Sequence, residues 1–174
     1  MPNTRADSLR YVAVSLFLFL ALAIPTTAIA DIITLKLPGI TGDVTVVGQE
    51  DTIEVLSLSG NIQGTKGQTL PVFSDFMIQK RLDRSSPALF LALVRGQLFD
   101  NAVINFLHET GNGFIKSFKI TLFNVSLTKF STDDSEGNVL VGHEQINLNY
   151  QKIQLKDVLT GESACWNIPT ATSC

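Results

Sequence analysis

A strand-length run that turns abruptly into a short helix, Ser74 to Gly96, constrains this chain more than any other stretch. Phe76, Ile78 and Leu82 alternate with more polar neighbours, the period of two expected of a half-buried strand, and Lys80 interrupts the apolar face. Pro87 disfavours the α conformation at the residue before it, which suits Ser86 as the N-cap, with Pro87 at the first helical position. Gly96 suits the left-handed residue that closes a helix, and Arg95 puts positive charge at the negative end of its dipole. Leu89, Phe90, Leu93 and Val94 form one wide apolar stripe; Leu91 lies off it, and Ala88 and Ala92 leave the rest nearly uncharged. Isolated helices shorter than ~12 to 15 residues are marginal in water, so this one must dock. Its sparse polar face suits either a core position or a contact between subunits.

The rest of the chain reads as strands and turns. Ile33, Leu35 and Leu37 alternate with Thr34 and Lys36 before a Pro38-Gly39 turn. Val44 to Val47 is a strand or an extended loop. Ile53 to Ile62 is a strand whose apolar set changes phase, from Ile53 and Val55 to Leu56 and Leu58, as a β-bulge would produce. Gly64 to Gln68 is a Gly-rich connection. Ala102 to His108 has apolar groups on both faces, so it is buried on two sides. Gly111 to Gly113 turns it into Phe114 to Phe123 as a hairpin, and Val125 to Phe130 continues in extended form. Thr132 to Asn138 is a polar loop. His143 to Leu155 gives the longest strand, with Ile146, Leu148 and Tyr150 opposed to Gln145, Asn147, Asn149 and Gln151 and a phase shift to Ile153 and Leu155. Short strands, turns and one helix predict a mainly β protein, an all-β barrel or sandwich with an appended helix.

The N-terminus carries a processing signal. Arg5 and Arg10 precede an apolar run, Tyr11 to Ile24, and Ala28-Ile29-Ala30 is an A-x-A site with cleavage expected before Asp31. The alternative is an uncleaved membrane anchor, but the run falls short of the ~18 residues expected of a spanning helix and the small-residue site favours removal, so no stable membrane insertion is expected after cleavage. Of the chain's 13 basic and 16 acidic side chains, Arg5, Arg10 and Asp7 lie in this segment, leaving 11 and 15 beyond it. A mildly acidic chain with no basic cluster excludes nucleic acid as an expected partner. The organisation expected is a signal over 1–30, one domain over 31–158 and a tail over 159–174. Both cysteines, Cys165 and Cys174, lie in that tail. In an oxidising compartment they suit a bridge that staples only the tail; free thiols and intermolecular pairing are the other readings.

Candidate chemistry is sparse. His108-Glu109 and His143-Glu144 pair imidazole with carboxylate, but neighbours on a strand point to opposite faces, so both read as solvated strand ends and not as metal or catalytic sites. Asp133 to Asn138 fails the calcium-loop spacing, because its fifth position is Gly137. No phosphate-binding loop or nucleophile elbow occurs, and no enzyme activity, metal or cofactor is expected. Gln145, Asn147, Asn149 and Gln151 make a polar, uncharged face, which suits either a hydrated wall or an ordinary exposed strand face.

Four pieces in order carry a resemblance to a known family. They are Asp31-Ile32-x-x-Leu35-Lys36-Leu37-Pro38-Gly39-Ile40-x-Gly42, then Ile53-Glu54-Val55-Leu56-Ser57-Leu58-Ser59, then Asp75-Phe76-x-Ile78-x-Lys80-x-x-Asp83-x-Ser85-Ser86-Pro87-x-Leu89-Phe90, and last Ile146-Asn147-Leu148-Asn149-Tyr150-Gln151-Lys152-Ile153. Together they resemble the Hcp family, the tube proteins of type VI secretion, from Asp31 to about Lys156. The resemblance implies an antiparallel β-barrel with one flanking α-helix, assembled as a homo-hexameric ring that stacks into a tube. Such a tube meets spike, sheath and effector proteins and can carry effectors in its lumen. It makes Phe76, Ile78, Lys80, Asp83, Ser86, Pro87, Leu89 and Phe90 the signature and the candidate subunit contact, and the Gln145 to Gln151 face the candidate lumen wall. Proteins of that family have no cleavable signal, and the Cys-bearing tail after Asp157 extends past the family core. A secreted location, and an exported binding module reusing the same barrel, are therefore also implied.

Overall fold

The computed structural model describes residues 31–64, 67, 70–133 and 142–174. Ala28 and Ala30 of the expected cleavage site, and most of the 64–68 and 132–138 connections, lie outside the described residues. Twelve strands and one helix are described: β1 Ile32–Lys36, β2 Ile53–Val55, β3 Ser57–Ser59, β4 Ile62–Gln63, β5 Val72–Phe73, β6 Phe76–Arg81, α1 Ser86–Val94, β7 Leu98–Thr110, β8 Gly113–Asp133, β9 His143–Asn149, β10 Lys152–Asp157, β11 Ser163–Asn167 and β12 Thr172–Ser173.

All pairings are antiparallel. β1 pairs with β7, β7 with β8, β8 with β9, β9 with β6 and β6 with β3. Leu56 alone separates β3 from β2, which pairs back onto β1, so the strands return to their start. The alternation implied a mainly β fold, barrel or sandwich, with one appended helix, and the family resemblance implied the barrel. The expected strand from Ile53 to Ile62 is three strands, β2, β3 and β4. The phase changes at Leu56 by a break between β2 and β3, which pair with different strands, and not by a bulge: Ile53 and Val55 are buried before it, Leu56 and Ser57 are both exposed, and Leu58 turns inward again. The Leu56 N–H donates to the Gln79 carbonyl at 2.8 Å, which holds the kink to β6.

Leu35, Ile53, Ile78, Ile104, Leu122, Ile146 and Leu148 are fully buried and form the middle of the core, with Leu89 and Ala92 of α1 against them. β7 is buried on both faces, as expected. Ala102 and Ile104 belong to the core, while Asn105 and Leu107 are buried on the opposite side. A loop, 43–52, covers that side; Val44 to Val47 is therefore loop and not strand. Its base is narrow. A Cβ on Gly42 would stand 2.2 Å from the Thr52 carbonyl oxygen, so no larger residue fits there.

Three local expectations need correction. First, His143 to Leu155 is two strands, broken at Tyr150-Gln151, and the longest strand is β8. The break lets Tyr150 and Ile153 both reach the interior, which one straight strand of period two forbids. Second, Leu82 follows the end of β6 and is 49% exposed, whereas Lys80 holds the inward position. Third, the N-cap of α1 is Ser85, not Ser86. The Leu89 N–H donates to the Ser85 carbonyl at 2.9 Å, and the Ser86 hydroxyl turns back to accept the Asp83 N–H at 3.1 Å. The far end closes as read: Gly96 has φ +59, its N–H reaches the Leu93 carbonyl, and the Gln97 N–H reaches that of Ala92.

Residues after β10 extend the sheet. β11 pairs with β10 over five residues, Lys152↔Asn167 to Lys156↔Ser163, and β12 pairs with β11. Cys165 and Cys174 are joined by a disulfide, with their Cα atoms 5.2 Å apart. Trp166 and Ile168 pack against the core from this extension. Asp157 caps the turn into β11. N–H donation from Thr160, helped by Leu159, holds its carboxyl below the usual range.

Candidate assembly surfaces and the buried node between them

Two surfaces and one buried cluster stand out. The first surface is the outer side of α1. Burial of Leu89 and Ala92, with Ala88 and Leu93 partly buried, turns Phe90, Leu91 and Val94 outward at 49%, 42% and 60% exposure, and Leu98 follows at 66%. The stripe expected from sequence is thus split: Leu89 and Leu93 face the barrel, while Phe90 and Val94 face away. Phe90 meets Phe130 of β8 edge-on, with centroids 6.0 Å apart, so its ring is oriented and not free.

The second surface is the outer face of β9 with its neighbours. Register places Ser57, Gln79, Gln145 and Ser131 in one cross-strand row, and Ser59, Met77, Asn147 and Lys129 in the next. The Gln145 amide donates to Asn147 Oδ1 at 3.0 Å, and that of Asn149 to Asp75 Oδ1 at 2.9 Å. Gln151 lies past the end of β9 and accepts from the Asn124 amide at 3.1 Å. The face is therefore wider than its β9 contribution. It also includes charges, Lys129 and Asp75, that alternation along one strand could not place beside it.

Between these surfaces lies an ionic node. Lys80 is 0% exposed, and its Nζ donates to Glu144 Oε1 at 2.6 Å, Asp83 Oδ1 at 2.8 Å, the Arg81 carbonyl at 2.7 Å and the Ser86 hydroxyl at 3.3 Å. Lys80 and Glu144 are direct cross-strand partners on β6 and β9, so the pair is fixed by register. Asp83 and Ser86 begin the turn into α1. One ammonium therefore ties the helix start to two strands. Glu144 was expected at a solvated strand end; it is 2% exposed instead, because its strand continues the inward phase of Ile146 and Leu148. Its neighbour His143 points to the other face.

A second polar cluster has no counterpart in the sequence reading. Gln49, at the tip of the 43–52 loop, accepts at its Oε1 from the Thr34 hydroxyl at 3.0 Å and from the Asn105 amide at 2.8 Å, and Gln49 donates to the Gly48 carbonyl. All three side chains are buried. A lone Gln in a loop gives no periodic signal, so nothing in the sequence marks it.

The remaining expected residues stay apart. His108 is exposed and pairs through Nδ1 with Asp31 at 2.7 Å. Among the described residues no three His, Cys, Asp or Glu side chains converge to hold a metal, and no helix is long and apolar enough to cross a membrane. Ile78 and Leu89 are fully buried and Phe76 nearly so, which leaves Pro87 and Phe90 as the exposed members of the signature.

The model of a family described as "Type VI secretion system effector, Hcp" matches residues 34–156. The chain belongs to the Hcp family. Its fold is similar to the crystal structure of Hcp1 from Salmonella typhimurium, with TM-score 0.73 and 21% identity over 83% of this chain and 100% of that one. It is also similar to an Hcp1 structure from E. coli EAEC 042, with TM-score 0.68 and 26% identity over 81% and 98% of the two chains. A third is the secreted protein Hcp3 from Pseudomonas aeruginosa, with TM-score 0.64 and 16% identity over 80% and 98%. No curated protein sequence matches the chain significantly. The family match ends inside β10, so β11, β12 and the disulfide lie beyond it.

Proposed function

We propose that this chain is a non-catalytic, exported Hcp subunit that closes into a homo-hexameric ring and stacks into a tube able to carry effectors. The observation that carries the reading is the outer face of α1. Phe90, Leu91 and Val94 are exposed apolar side chains on a helix whose start the Lys80 node ties to β6 and β9, and Leu98 at the start of β7 is exposed just after them. Exposed apolar side chains on an anchored element are what a subunit contact needs, and a closed ring requires them to meet a different patch on the next copy. The Ser57–Gln79–Gln145–Ser131 row and its neighbours suit the lumen wall, since amides and hydroxyls hydrate well and hold varied cargo weakly. Removal of residues 1–30 before Asp31 would deliver the subunit to an oxidising compartment, in keeping with the bonded Cys165 and Cys174. Spike and sheath proteins would then be its partners.

Light scattering on oxidised Asp31 to Cys174 tests the ring. A mass six times the subunit is expected, and Val94→Asp should return it to one. A clean monomer in the unaltered protein overturns the tube reading and leaves an exported binding module on the same barrel. Charging the polar face with Asn147→Lys and Asn149→Lys should stop cargo passage while leaving the ring mass unchanged.

A further inference from the structure

The extension past the family match carries a contact of its own. β11 reads Ser163-Ala164-Cys165-Trp166-Asn167, with no charge and no proline. Sheets protect free edges with Lys, Pro, bulges or a cover, because an open row of N–H and C=O groups templates another strand. β11 uses a cover, but a slight one. β12 has two residues, paired as Trp166↔Ser173 and Asn167↔Thr172, and the Cys174 N–H reaches the Cys165 carbonyl at 3.3 Å. Two residue pairs do not hold a strand in water. The disulfide between Cys165 and Cys174 supplies what the pairing lacks.

We propose that the outer edge of β11 is a strand-addition site for a second copy of this chain, kept closed by the Cys165–Cys174 disulfide. A dithiol reductant opens it: the S–S bond breaks, both cysteines become thiols, and the reductant leaves as its own disulfide. β12 then peels away. β11 stays, because five residue pairs hold it to β10, Trp166 and Ile168 pack on the core, and the Ile168 N–H donates to the Gln151 carbonyl at 2.9 Å. Since N–H groups alternate along a strand, the Asn167 N–H faces the edge that β12 leaves. A second copy is the occupant that fits. Two identical strands paired antiparallel about a twofold axis match each other's donors and acceptors, and centring on Cys165 sets Ala164 opposite Trp166 with no charges facing.

The test compares the full mature protein, oxidised and reduced, by light scattering and by hydrogen exchange. Reduction should speed exchange at residues 172–174, leave the β10-bonded N–H groups of β11 protected, and double the mass relative to the oxidised state; reading the ratio cancels any ring formed in both. Cys165→Ser with Cys174→Ser should double the mass without reductant, and adding Asn167→Pro should restore the oxidised mass. Trp166, the one tryptophan of the chain, reports by its fluorescence that β11 stays docked. An unchanged mass after reduction, a rise that Asn167→Pro leaves in place, or undocking of Trp166 overturns the proposal.

Discussion

Two buried polar clusters pin two different elements to the same barrel, and they do it by different chemistry. At Lys80 one buried ammonium meets a fully buried carboxylate, a mostly buried one and a hydroxyl, and the element held is α1. At Gln49 one neutral amide meets a hydroxyl and another amide, and the element held is a loop. A buried charge is costly to strand, whereas a stranded amide or hydroxyl costs less. Position therefore depends more strictly on the charged node, and that node sits under the proposed ring contact.

The comparison breaks most sharply at Glu144→Ala. It leaves the Lys80 ammonium buried with Asp83 as its remaining carboxylate, and the loss expected is about 3–5 kcal/mol of unfolding free energy by urea titration. Replacing the pair by Lys80→Met with Glu144→Leu should recover part of that loss, since no buried charge is stranded between β6 and β9 and Asp83, although it loses its cation, keeps the Ser85 N–H and hydroxyl as donors. Equal losses for the single and double variants would show that the ion pair itself holds the barrel. Ring mass sharpens the point: if the node serves to place α1, the double variant should be stable yet assemble poorly.

Smaller effects are expected at the amide node. Gln49→Ala removes the acceptor shared by Thr34 and Asn105 and leaves two buried donors without it, a loss of about 1–3 kcal/mol. Hydrogen exchange should quicken over 43–52 and stay unchanged in α1. Spread of the effect to α1 would mean that the two clusters are one cooperative unit.

The two clusters also differ in how far the sequence reveals them. Lys80 is legible as an interruption of an apolar face, and the Hcp-like signature contains it with Asp83 and Ser86. Its main partner is not legible, because Glu144 lies 64 residues away and beside a histidine that points outward. Only the β6–β9 register brings the two together. Gln49, Thr34 and Asn105 are invisible for a similar reason, as each is an ordinary polar residue until a loop folds over β1 and β7. The alternating strands, the β7–β8 hairpin and the glycine end of the helix are local patterns, and these were readable, whereas the choice of barrel over sandwich came from the family resemblance. The division of the α1 stripe was not, since both faces of that helix are apolar and its packing on the barrel decides which is buried. β11 escaped because a tail of five mixed residues shows no alternation until β10 supplies its pairing.

The smallest effect expected near neutral pH, and the cleanest in sign, belongs to Tyr150. Its hydroxyl is buried with no hydrogen-bond partner among the described residues, and its pKa is pushed up to about 12, first by burial and then by the charge of Asp75. The unfolded chain titrates near the ordinary tyrosine value of about 10. Between those two values the unfolded state has lost its proton while the folded state keeps it, so stability falls as pH rises, by up to about 1.4 kcal/mol per unit. Below pH 10 the group contributes no slope. Tyr150→Phe removes both the titration and an unsatisfied buried hydroxyl, and it should therefore match or exceed the unaltered protein at pH 7. The two should diverge above pH 10 in urea titrations at successive pH values, with the Phe variant retaining the stability that Tyr150 loses. A parallel decline in both would place the alkaline loss elsewhere. It would also mean that the hydroxyl at the β9–β10 break finds a partner in solution, making that break a polar joint rather than a packed one.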